Sequence, residues 1–446
     1  MTGEKITTLP LSRWRALQAA GALGAVDLAE AAVARADAAA GCRMYLDRRD
    51  VELRVAAQEQ AGRPGDPRFL AGLPVSVKDL FDVAGWGTTC GSRFYGRLRP
   101  RAGQDAGYVA RWRRAGALFT GKTHLNEFAW GITGENPWFG NCTIPGSPDR
   151  LTGGSSSGAA ATVVAGAAVA ALGTDTGGSL RVPAALCGLV SVRQSHGFGE
   201  ADGVFPLAHS LDTLGWLQRH VRDVRSLALA LHPELAPAPV PVRPRFALLE
   251  GSWLGGLEPP VATAREQLAG ALAAAGAEVV RLEAHGWERA PELFVPIQAH
   301  EAVGHHAELR PAHHQGYDPA LMPRFALGES ITPPQYRQLQ EERRRFVADR
   351  VTPLFDGVDF LLAPACPVLA LRAGEDHAAT RPRLLRLTAP VSLAGLPVLT
   401  IPWFLPGDGP AGFQVIAPHG ADTRLWALAE WLGGRGIGTR PDDVVD

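Results

Sequence analysis

The chain has 446 residues, and 44 Lys and Arg stand against 45 Asp and Glu, for a net charge of −1. This balance provides no electrostatic field for gathering nucleic acid or anionic membrane, so a small neutral partner is the expectation. Five cysteines without C-x-x-C spacing predict a reducing, cytoplasmic location rather than a disulfide framework. The N-terminal segment has no apolar h-region, and no apolar run reaches the ~20 residues of a bilayer span, so we expect neither a signal peptide nor a membrane anchor.

Hydrophobic periodicity predicts helices and strands that alternate along the chain. Strand-like apolar runs lie at residues 73–77, 358–364 and 396–402, and helical spacing is found at residues 26–40, 105–115, 261–275 and 334–350. This alternation predicts an α/β fold, in which a mixed, mostly parallel central sheet is covered by helices on both faces of one large domain. The proline-rich segment 232–245 is interpreted as a surface connector within a single domain, residues 1–446. A true domain boundary there is the alternative.

Two short motifs match the residue pattern of known signatures, but the segments around them do not have the secondary structure that those signatures need. Residues 116–123, GALFTGKT, fit the phosphate-loop pattern, yet the intervening residues are strand-like and no hydrophobic strand precedes them. Residues 154–158, GSSSG, fit the nucleophile-elbow pattern with Ser156 at its centre, yet a polar segment broken by prolines stands where the elbow needs a buried strand. Neither nucleotide binding nor an α/β-hydrolase triad is therefore expected.

A third constellation combines three separate segments. In GTDTGGS, residues 173–179, small residues and glycines let several backbone N–H groups point at one spot beside Ser179. Lys78 closes the apolar run at 73–77, and a lysine there can act as a base only if a dry pocket lowers its pKa to ~7 to 8. The hydroxyls of GGSSSG, residues 153–158, offer a relay between that lysine and Ser179.

These segments, LPVSVKD, GGSSSGAAA and GTDTGGSLRVPA, resemble the amidase signature family of Ser-Ser-Lys amide hydrolases. The separation 179 − 155 = 24 places the first serine of the run at the family's bridging position, and further similar segments extend the match over roughly residues 20–435. The resemblance implies a cis peptide bond at the bridging serine. It also implies roles for these residues: Ser179 as nucleophile, Ser155 as bridging acid/base, Lys78 as ultimate base, Ser156 as a supporting hydroxyl, and the backbone N–H groups of Thr176, Gly177, Gly178 and Ser179 as the oxyanion hole.

The resemblance further implies an amidase that hydrolyses a small carboxylic amide through a Ser179 acyl-enzyme, as a monomer or homodimer, with neither a metal nor an organic cofactor. One alternative is the glutamine-hydrolysing component of a tRNA-dependent amidotransferase. Those proteins carry an acidic residue just before the stretch that corresponds to residues 388–397, where this chain has Leu384-Leu385-Arg386-Leu387. A second alternative is a non-catalytic docking module on the same fold, although this chain retains the lysine and both serines.

Several other side chains have simpler interpretations. The paired histidines at 305–306 and 313–314 lack the i, i+4 spacing of helical zinc ligands, so a surface or pocket-rim helix is expected. Cys366 lies in an apolar strand between prolines and is expected to be a buried structural thiol. Asp175 is expected to accept structural hydrogen bonds, and Arg181 to pair with a neighbouring carboxylate. Four aromatic residues fit either an acyl pocket or the core: Phe128, Trp130, Trp138 and Phe139.

Overall fold

The structure is a computed structural model that describes residues 6–63 and 66–441; residues 1–5, 64–65 and 442–446 of the predicted domain lie outside this part. Its strands are β1 (Tyr45–Arg48), β2 (Pro74–Lys78), β3 (Leu118–Thr123), β4 (Thr143–Ile144), β5 (Ser147–Leu151), β6 (Ala170–Asp175), β7 (Val190–Arg193), β8 (Thr213–Gln218), β9 (Arg245–Glu250), β10 (Glu278–Glu283), β11 (Phe360–Pro364), β12 (Leu371–Arg372), β13 (Val398–Leu405) and β14 (Gly409–Ile416).

The helices are α1 (Leu11–Ala19), α2 (Ala25–Ala38), α3 (Asp50–Ala61), α4 (Tyr95–Leu98), α5 (Gly107–Arg114), α6 (Ser157–Ala165), α7 (Arg181–Cys187), α8 (Val224–Leu231), α9 (Pro259–Ala274), α10 (Ala290–His305), α11 (Arg310–His313), α12 (Met322–Ser330), α13 (Pro333–Phe346), α14 (Thr380–Leu393) and α15 (Asp422–Gly433). The predicted helices correspond to α2, α5, α9 and α13, and the predicted strands to β2, β11 and β13. No helix in the described part of the chain is long and apolar enough to cross a membrane.

One mixed sheet organises the molecule. Among the described residues it has 11 strands in the order β1-β3-β2-β6-β8-β7-β13-β14-β11-β9-β10. The α/β class and the mixed sheet are confirmed, but the expectation of a mostly parallel sheet is wrong. Of the neighbouring pairs described, only β2 with β3, β2 with β6, β9 with β10 and β9 with β11 are parallel. Parallel neighbours need a crossover element, whereas β7–β8 and β13–β14 are joined without an intervening helix and pair antiparallel.

Both faces of this sheet are buried by helices, as expected. Along β9, Phe246 and Leu248 belong to one apolar cluster, whereas Ala247 and Leu249 belong to another. The first cluster includes side chains of α5, α8, α9 and α15, and the second includes side chains of α10 and α14. Successive side chains of a strand point to opposite faces, so the two clusters are the cores above and below the sheet.

The proline-rich connector does not interrupt the sheet. Strands that precede it and strands that follow it meet where β7 pairs with β13, and Val242 in the connector is 92% exposed. We therefore propose that the chain forms one domain and that the connector is a surface loop.

The fold brings the carboxyl ends of two neighbouring parallel strands to one edge of the sheet. Strand β2 ends at Lys78 and β6 ends at Asp175, and the two strands pair in parallel. Helix α6 begins at Ser157, within the serine-rich segment 153–158, and α7 begins at Arg181, just after the glycine-rich loop. Because parallel strands present their carboxyl ends on the same side, the lysine and both loops are gathered in one place.

Candidate active site

Lys78 lies fully buried at the end of β2 and contacts two neighbouring segments. Its Nζ lies 2.8 Å from Ser155 Oγ and 2.8 Å from Thr174 Oγ1, with the Thr174 carbonyl oxygen at 3.5 Å. Burial lowers the pKa of Lys78 to about 7, against an opposing effect of the Asp175 and Asp212 carboxylates. The amine is therefore neutral in a large fraction of molecules near neutral pH.

The serine-rich loop is held tightly between β5 and α6. The Gly154–Ser155 peptide bond is cis. A Cβ atom at Gly154 would lie 2.1 Å from Asn126 Oδ1, so only glycine fits against the asparagine. Ser156 donates its N–H to the Ser179 carbonyl oxygen at 3.2 Å and its hydroxyl to the Thr174 carbonyl oxygen at 3.2 Å. Ser156 thus ties the serine-rich loop to the loop that carries Ser179.

Ser179 lies beside this pair, and it is 5% exposed. The residue lines a cavity, and within the described residues its hydroxyl makes no hydrogen bond. The structure therefore joins Lys78 to Ser155 directly and brings Ser179 alongside through the backbone of Ser156, without a hydrogen bond between the two hydroxyls. Catalytic hydrogen bonds are often long in a substrate-free site and shorten when substrate binds.

The backbone around Ser179 differs from the expectation at one position. In the described part of the chain, the N–H groups of Thr176, Gly177 and Ser179 donate to no acceptor. The Gly178 N–H instead donates to Asp175 Oδ1 at 2.9 Å. A carboxylate already occupies this donor, so Gly178 does not belong to the set of free N–H groups.

Asp175 anchors the loop through a buried charge network. It accepts hydrogen bonds from the backbone of Gly178 and Leu180, and it pairs with Arg181 at 2.9 Å and Arg193 at 2.7 Å. The two guanidinium groups hold the pKa of Asp175 well below its usual range, against the effect of burial. The expected roles of Asp175 as a structural acceptor and of Arg181 as its partner are confirmed.

The cavity at Ser179 has a volume of about 130 Å³. Its walls are mostly apolar, and three longer polar side chains interrupt them. The lining residues are Ala129, Trp130, Gly131, Ile132, Gly177, Ser179, Val295, Gln298, Ala299, Arg324, Leu327, Arg381 and Leu385. A buried nucleophile candidate, unpaired backbone donors and a concave apolar wall together can accept a small carbonyl compound.

Comparison with known proteins assigns this site to a family. The amidase family profile matches residues 27–426. The chain belongs to the amidase family. This amidase is a hydrolase that acts on amide C–N bonds.

Individual relatives cover most of the amidase. It is 37% identical to 2-amino-5-chloromuconic acid deaminase from Comamonas testosteroni, over 81% of this chain and 80% of the relative. It is 33% identical to a component of glutamyl-tRNA(Gln) amidotransferase from Symbiobacterium thermophilum, over 94% of this chain and 95% of the relative. A crystal structure of an amidase superposes with a TM-score of 0.89 at 34% identity, covering 96% of this chain and 100% of that one.

Other residues that the sequence analysis named occupy different places in the amidase. Lys122 of the phosphate-loop match lies buried within β3 and pairs with Asp79 at 2.5 Å, so it faces no ligand. Cys366 is buried as expected, and burial raises the pKa of its thiol. Trp130 and Phe128 pack in the same apolar core cluster, and Trp130 also lines the cavity. In the described residues, no group of three or more His, Cys, Asp or Glu side chains is placed to hold a metal ion.

Some contacts of the site are not predicted from the sequence. Thr174, inside the GTDTGGS motif, contacts Lys78 from β6 in a way that the motif did not indicate, and Asn126 packs against Gly154 from a distant loop. Arg324 on α12 and Arg381 on α14 reach the cavity from the second half of the chain. Their positions depend on how helices pack over the sheet edge, which local spacing does not encode.

Proposed function

We propose that the amidase hydrolyses a small carboxylic amide to a carboxylate and ammonia or an amine through an acyl-enzyme on Ser179. The observation that carries this proposal is the contact between Lys78, buried and with a lowered pKa, and Ser155 beside the cavity-lining Ser179. The similarity to 2-amino-5-chloromuconic acid deaminase, which is named for a small-molecule substrate, supports the substrate class.

The contacts of Lys78 match what a neutral amine can do. A neutral amine has two N–H donors and one lone pair, whereas the charged form has three donors and no acceptor. The two oxygens of Thr174 are placed to accept the two N–H groups. As placed, the Lys78 Nζ donates to Ser155 Oγ at 2.8 Å. In the neutral amine the lone pair can instead accept the proton of the Ser155 hydroxyl, which allows Lys78 to act as the base.

The proposed reaction moves one proton along this path. Lys78 accepts the proton of Ser155, Ser155 accepts the proton of Ser179, and the Ser179 oxygen attacks the amide carbonyl carbon. The N–H groups of Thr176, Gly177 and Ser179 stabilise the oxyanion, each donor contributing ~3 to 4 kcal/mol in such sites generally. Ser155 returns a proton to the departing nitrogen as the C–N bond breaks. Water, activated by the same relay, then hydrolyses the acyl-enzyme to the carboxylate.

A second candidate function is glutamine hydrolysis within an amidotransferase complex. The 33% identity to the glutamyl-tRNA(Gln) amidotransferase component over 94% of this chain favours it. The apolar and basic segment at 384–387 argues against it, since Leu385 lines the cavity where those relatives are expected to carry an acidic residue. This candidate predicts co-purification with partner chains and activity on glutamine.

An ammonia-release assay over a panel of small amides tests the first proposal. We expect the purified amidase alone to release ammonia, and both Ser179→Ala and Lys78→Ala to lower kcat by about 10³-fold or more because each removes a group of the relay. Mass spectrometry of the wild type during turnover is expected to detect an acyl adduct that Ser179→Ala lacks.

The matched control is Ser191→Ala. This serine is also fully buried, but it lies on β7 and its hydroxyl has no hydrogen-bond partner among the described residues. We expect Ser191→Ala to keep wild-type turnover. Normal turnover by the Ser179 and Lys78 variants would contradict the role assignment.

A further inference from the structure

The segment that carries the free backbone N–H groups, residues 176–179, borders two cavities. Gly177 and Ser179 line the cavity at the nucleophile, whereas Thr176 lines a second cavity with a volume of about 410 Å³. Asp212, which directly precedes β8, lines the second cavity as well. The segment is therefore reached from a second direction, by a carboxylate that does not line the nucleophile's cavity.

Thr176 is held there by its side chain. Its hydroxyl donates to Asp212 Oδ1 at 2.5 Å. In the described part of the chain this is the one hydrogen bond of the Thr176 side chain. Threonine is β-branched, so a fixed hydroxyl also fixes χ1 and the methyl group. The contact with Asp212 thus restrains the two peptide units that flank Thr176, which provide the N–H groups of Thr176 and Gly177.

Asp212 is in turn fixed by backbone donors. Its Oδ2 accepts the N–H groups of Leu207 at 2.8 Å and Ala208 at 3.0 Å. Burial raises the pKa of Asp212 to about 6, so the carboxylate is ionised near neutral pH. An ionised carboxylate can only accept hydrogen bonds, and the Thr176 hydroxyl must therefore be the donor. The direction of the contact follows from the charge of Asp212.

The next two residues of the segment have other anchors. The Gly177 carbonyl oxygen accepts the hydroxyl of Thr388 at 2.6 Å, and the Gly178 N–H donates to Asp175. Each anchor comes from a different part of the chain, and both act after Thr176. Among the described residues, Asp212 is the one side chain that holds Thr176 itself.

We propose that Asp212 is a positioning residue for catalysis, which acts through the Thr176 hydroxyl to direct the N–H groups of Thr176 and Gly177 towards the oxyanion. The inference rests on the proposed function, because it concerns the oxyanion formed there. Backbone donors stabilise developing charge only when they are oriented before the reaction. Their contribution is realised in the transition state, so loss of the contact should lower kcat and leave KM nearly unchanged.

Variants of Thr176 test this inference and leave the turn at Asp212 intact. Thr176→Val keeps the shape of the side chain but removes the hydroxyl, and we expect kcat for a small amide to fall by about 10- to 100-fold because the donors lose their orientation. Thr176→Ser keeps the hydroxyl and should recover most of this loss. Ammonia release at several amide concentrations separates kcat from KM.

The matched control is Thr400→Val. Thr400 is also buried, but it lies on β13 and its hydroxyl has no hydrogen-bond partner in the described part of the chain. We expect this variant to keep wild-type kcat and KM. Wild-type kcat in Thr176→Val would overturn the proposal, as would an equal loss in Thr176→Val and Thr176→Ser.

Asp212→Asn has an additional readout, because Asp212 also acts on Lys78 through its charge. The carboxylates of Asp175 and Asp212 raise the pKa of Lys78 against the larger effect of burial. The charged groups that interact with Asp212 are Lys78, Arg193 and Glu301. Removing one negative charge should lower the pKa of Lys78. The neutral amine then persists to lower pH, so the acid limb of kcat/KM should move to lower pH.

The pH profile distinguishes this role from a merely structural one. Thr176→Val keeps the charge of Asp212, so its acid limb should stay where it is in the wild type while its kcat falls. Asp212→Asn should show both the lower kcat and the shifted limb. A limb that does not move in Asp212→Asn, together with unchanged kcat, would contradict a role of Asp212 in catalysis.

Phenylboronic acid provides a readout that does not need amide turnover. The Ser179 oxygen bonds to boron, the proton of its hydroxyl passes to the relay, and the tetrahedral anion imitates the oxyanion intermediate. We expect its dissociation constant to rise by about 10- to 100-fold in Thr176→Val and to stay near the wild-type value in Thr176→Ser and Thr400→Val. Equal binding by wild type and Thr176→Val would contradict the inference.

The two assays together separate this inference from the proposed function. Normal amide turnover by Thr176→Val, beside an inactive Ser179→Ala, would contradict the positioning role alone. Tight binding of phenylboronic acid without ammonia release by the wild type from any amide would contradict the proposed function and leave the positioning role standing. Neither binding nor ammonia release by the wild type would contradict both.

Discussion

At the scale of single residues, the proposed chemistry depends on the protonation state of Lys78. Its Nζ is fully buried at the end of β2, and burial lowers its pKa to about 7 from a usual value of 10.5. A lysine with its ordinary pKa would be charged at neutral pH and could not accept a proton. Burial therefore lets the Lys78 amine lose its charge near neutral pH, as the proposed role of a base requires.

This shift predicts how activity depends on pH. Because only the neutral amine accepts a proton, kcat/KM for a neutral amide should rise as pH increases through about 7 and level off above about pH 8. Initial rates measured between about pH 5.5 and about pH 9 test this. A group with a lowered pKa is protonated below that pKa, so activity is lost on the acid side.

Lys78→Arg is the control for this prediction. Arginine stays protonated over the whole range, so the variant should be inactive at every pH tested. A wild-type rate that does not change between about pH 6 and about pH 8 would contradict Lys78 as the titrating base.

At the scale of elements, α6 shows how packing overrides local propensity. Its second residue is Gly158, although alanine is the better helix former, by ~1 kcal/mol in a helix interior. A Cβ atom at this position would lie 2.1 Å from the Met44 carbonyl oxygen and 2.5 Å from His124 N. The close approach fixes the helix against the loops that precede it, and with it the position of Ser155.

Two glycine substitutions in helices test this argument. Gly158→Ala should lower the free energy of unfolding by about 1 to 3 kcal/mol, because the added methyl overpacks a rigid backbone contact. Gly270→Ala in α9 should raise it by about 1 kcal/mol, because no atom lies within 4 Å of the added Cβ. Denaturant unfolding measures both. Changes of the same sign would mean that the contact at Gly158 does not govern the outcome.

At the scale of the whole molecule, net charge and local charge have separate consequences. The chain is close to neutral, which led to the expectation of a neutral partner. The cavity nevertheless contains two arginines, and Glu135 pairs with only one of them. The net charge of the chain describes its long-range electrostatic field, whereas a bound substrate interacts mainly with the charged side chains that line its site.

The whole molecule is also expected to unfold as one unit. Trp112 and Trp216, before the connector, share a core cluster with Trp426, after it. Because this core is common to both halves, calorimetry, tryptophan fluorescence and circular dichroism should report one coincident transition. Cleavage at a protease site introduced after Val242 should leave the two pieces associated.

Two transitions at different denaturant concentrations would contradict this prediction, as would separation of the cleaved pieces as folded units. Either result would place a domain boundary at the connector. The uncut protein with the inserted site is the control, since an insertion in an exposed loop should change stability by less than about 1 kcal/mol.

The α/β class, four of the helices, three of the strands and the expectation that Lys78, Ser155 and Ser179 lie together follow from the sequence alone. Periodicity and contiguous motifs are local properties that can be read along the chain. The strand directions, the hydrogen bond from the Gly178 N–H to Asp175 and the presence of Arg324 and Arg381 at the cavity are seen only in the tertiary structure. These features arise where segments that are distant in sequence pack together, and their geometry depends on the burial and contacts that packing creates.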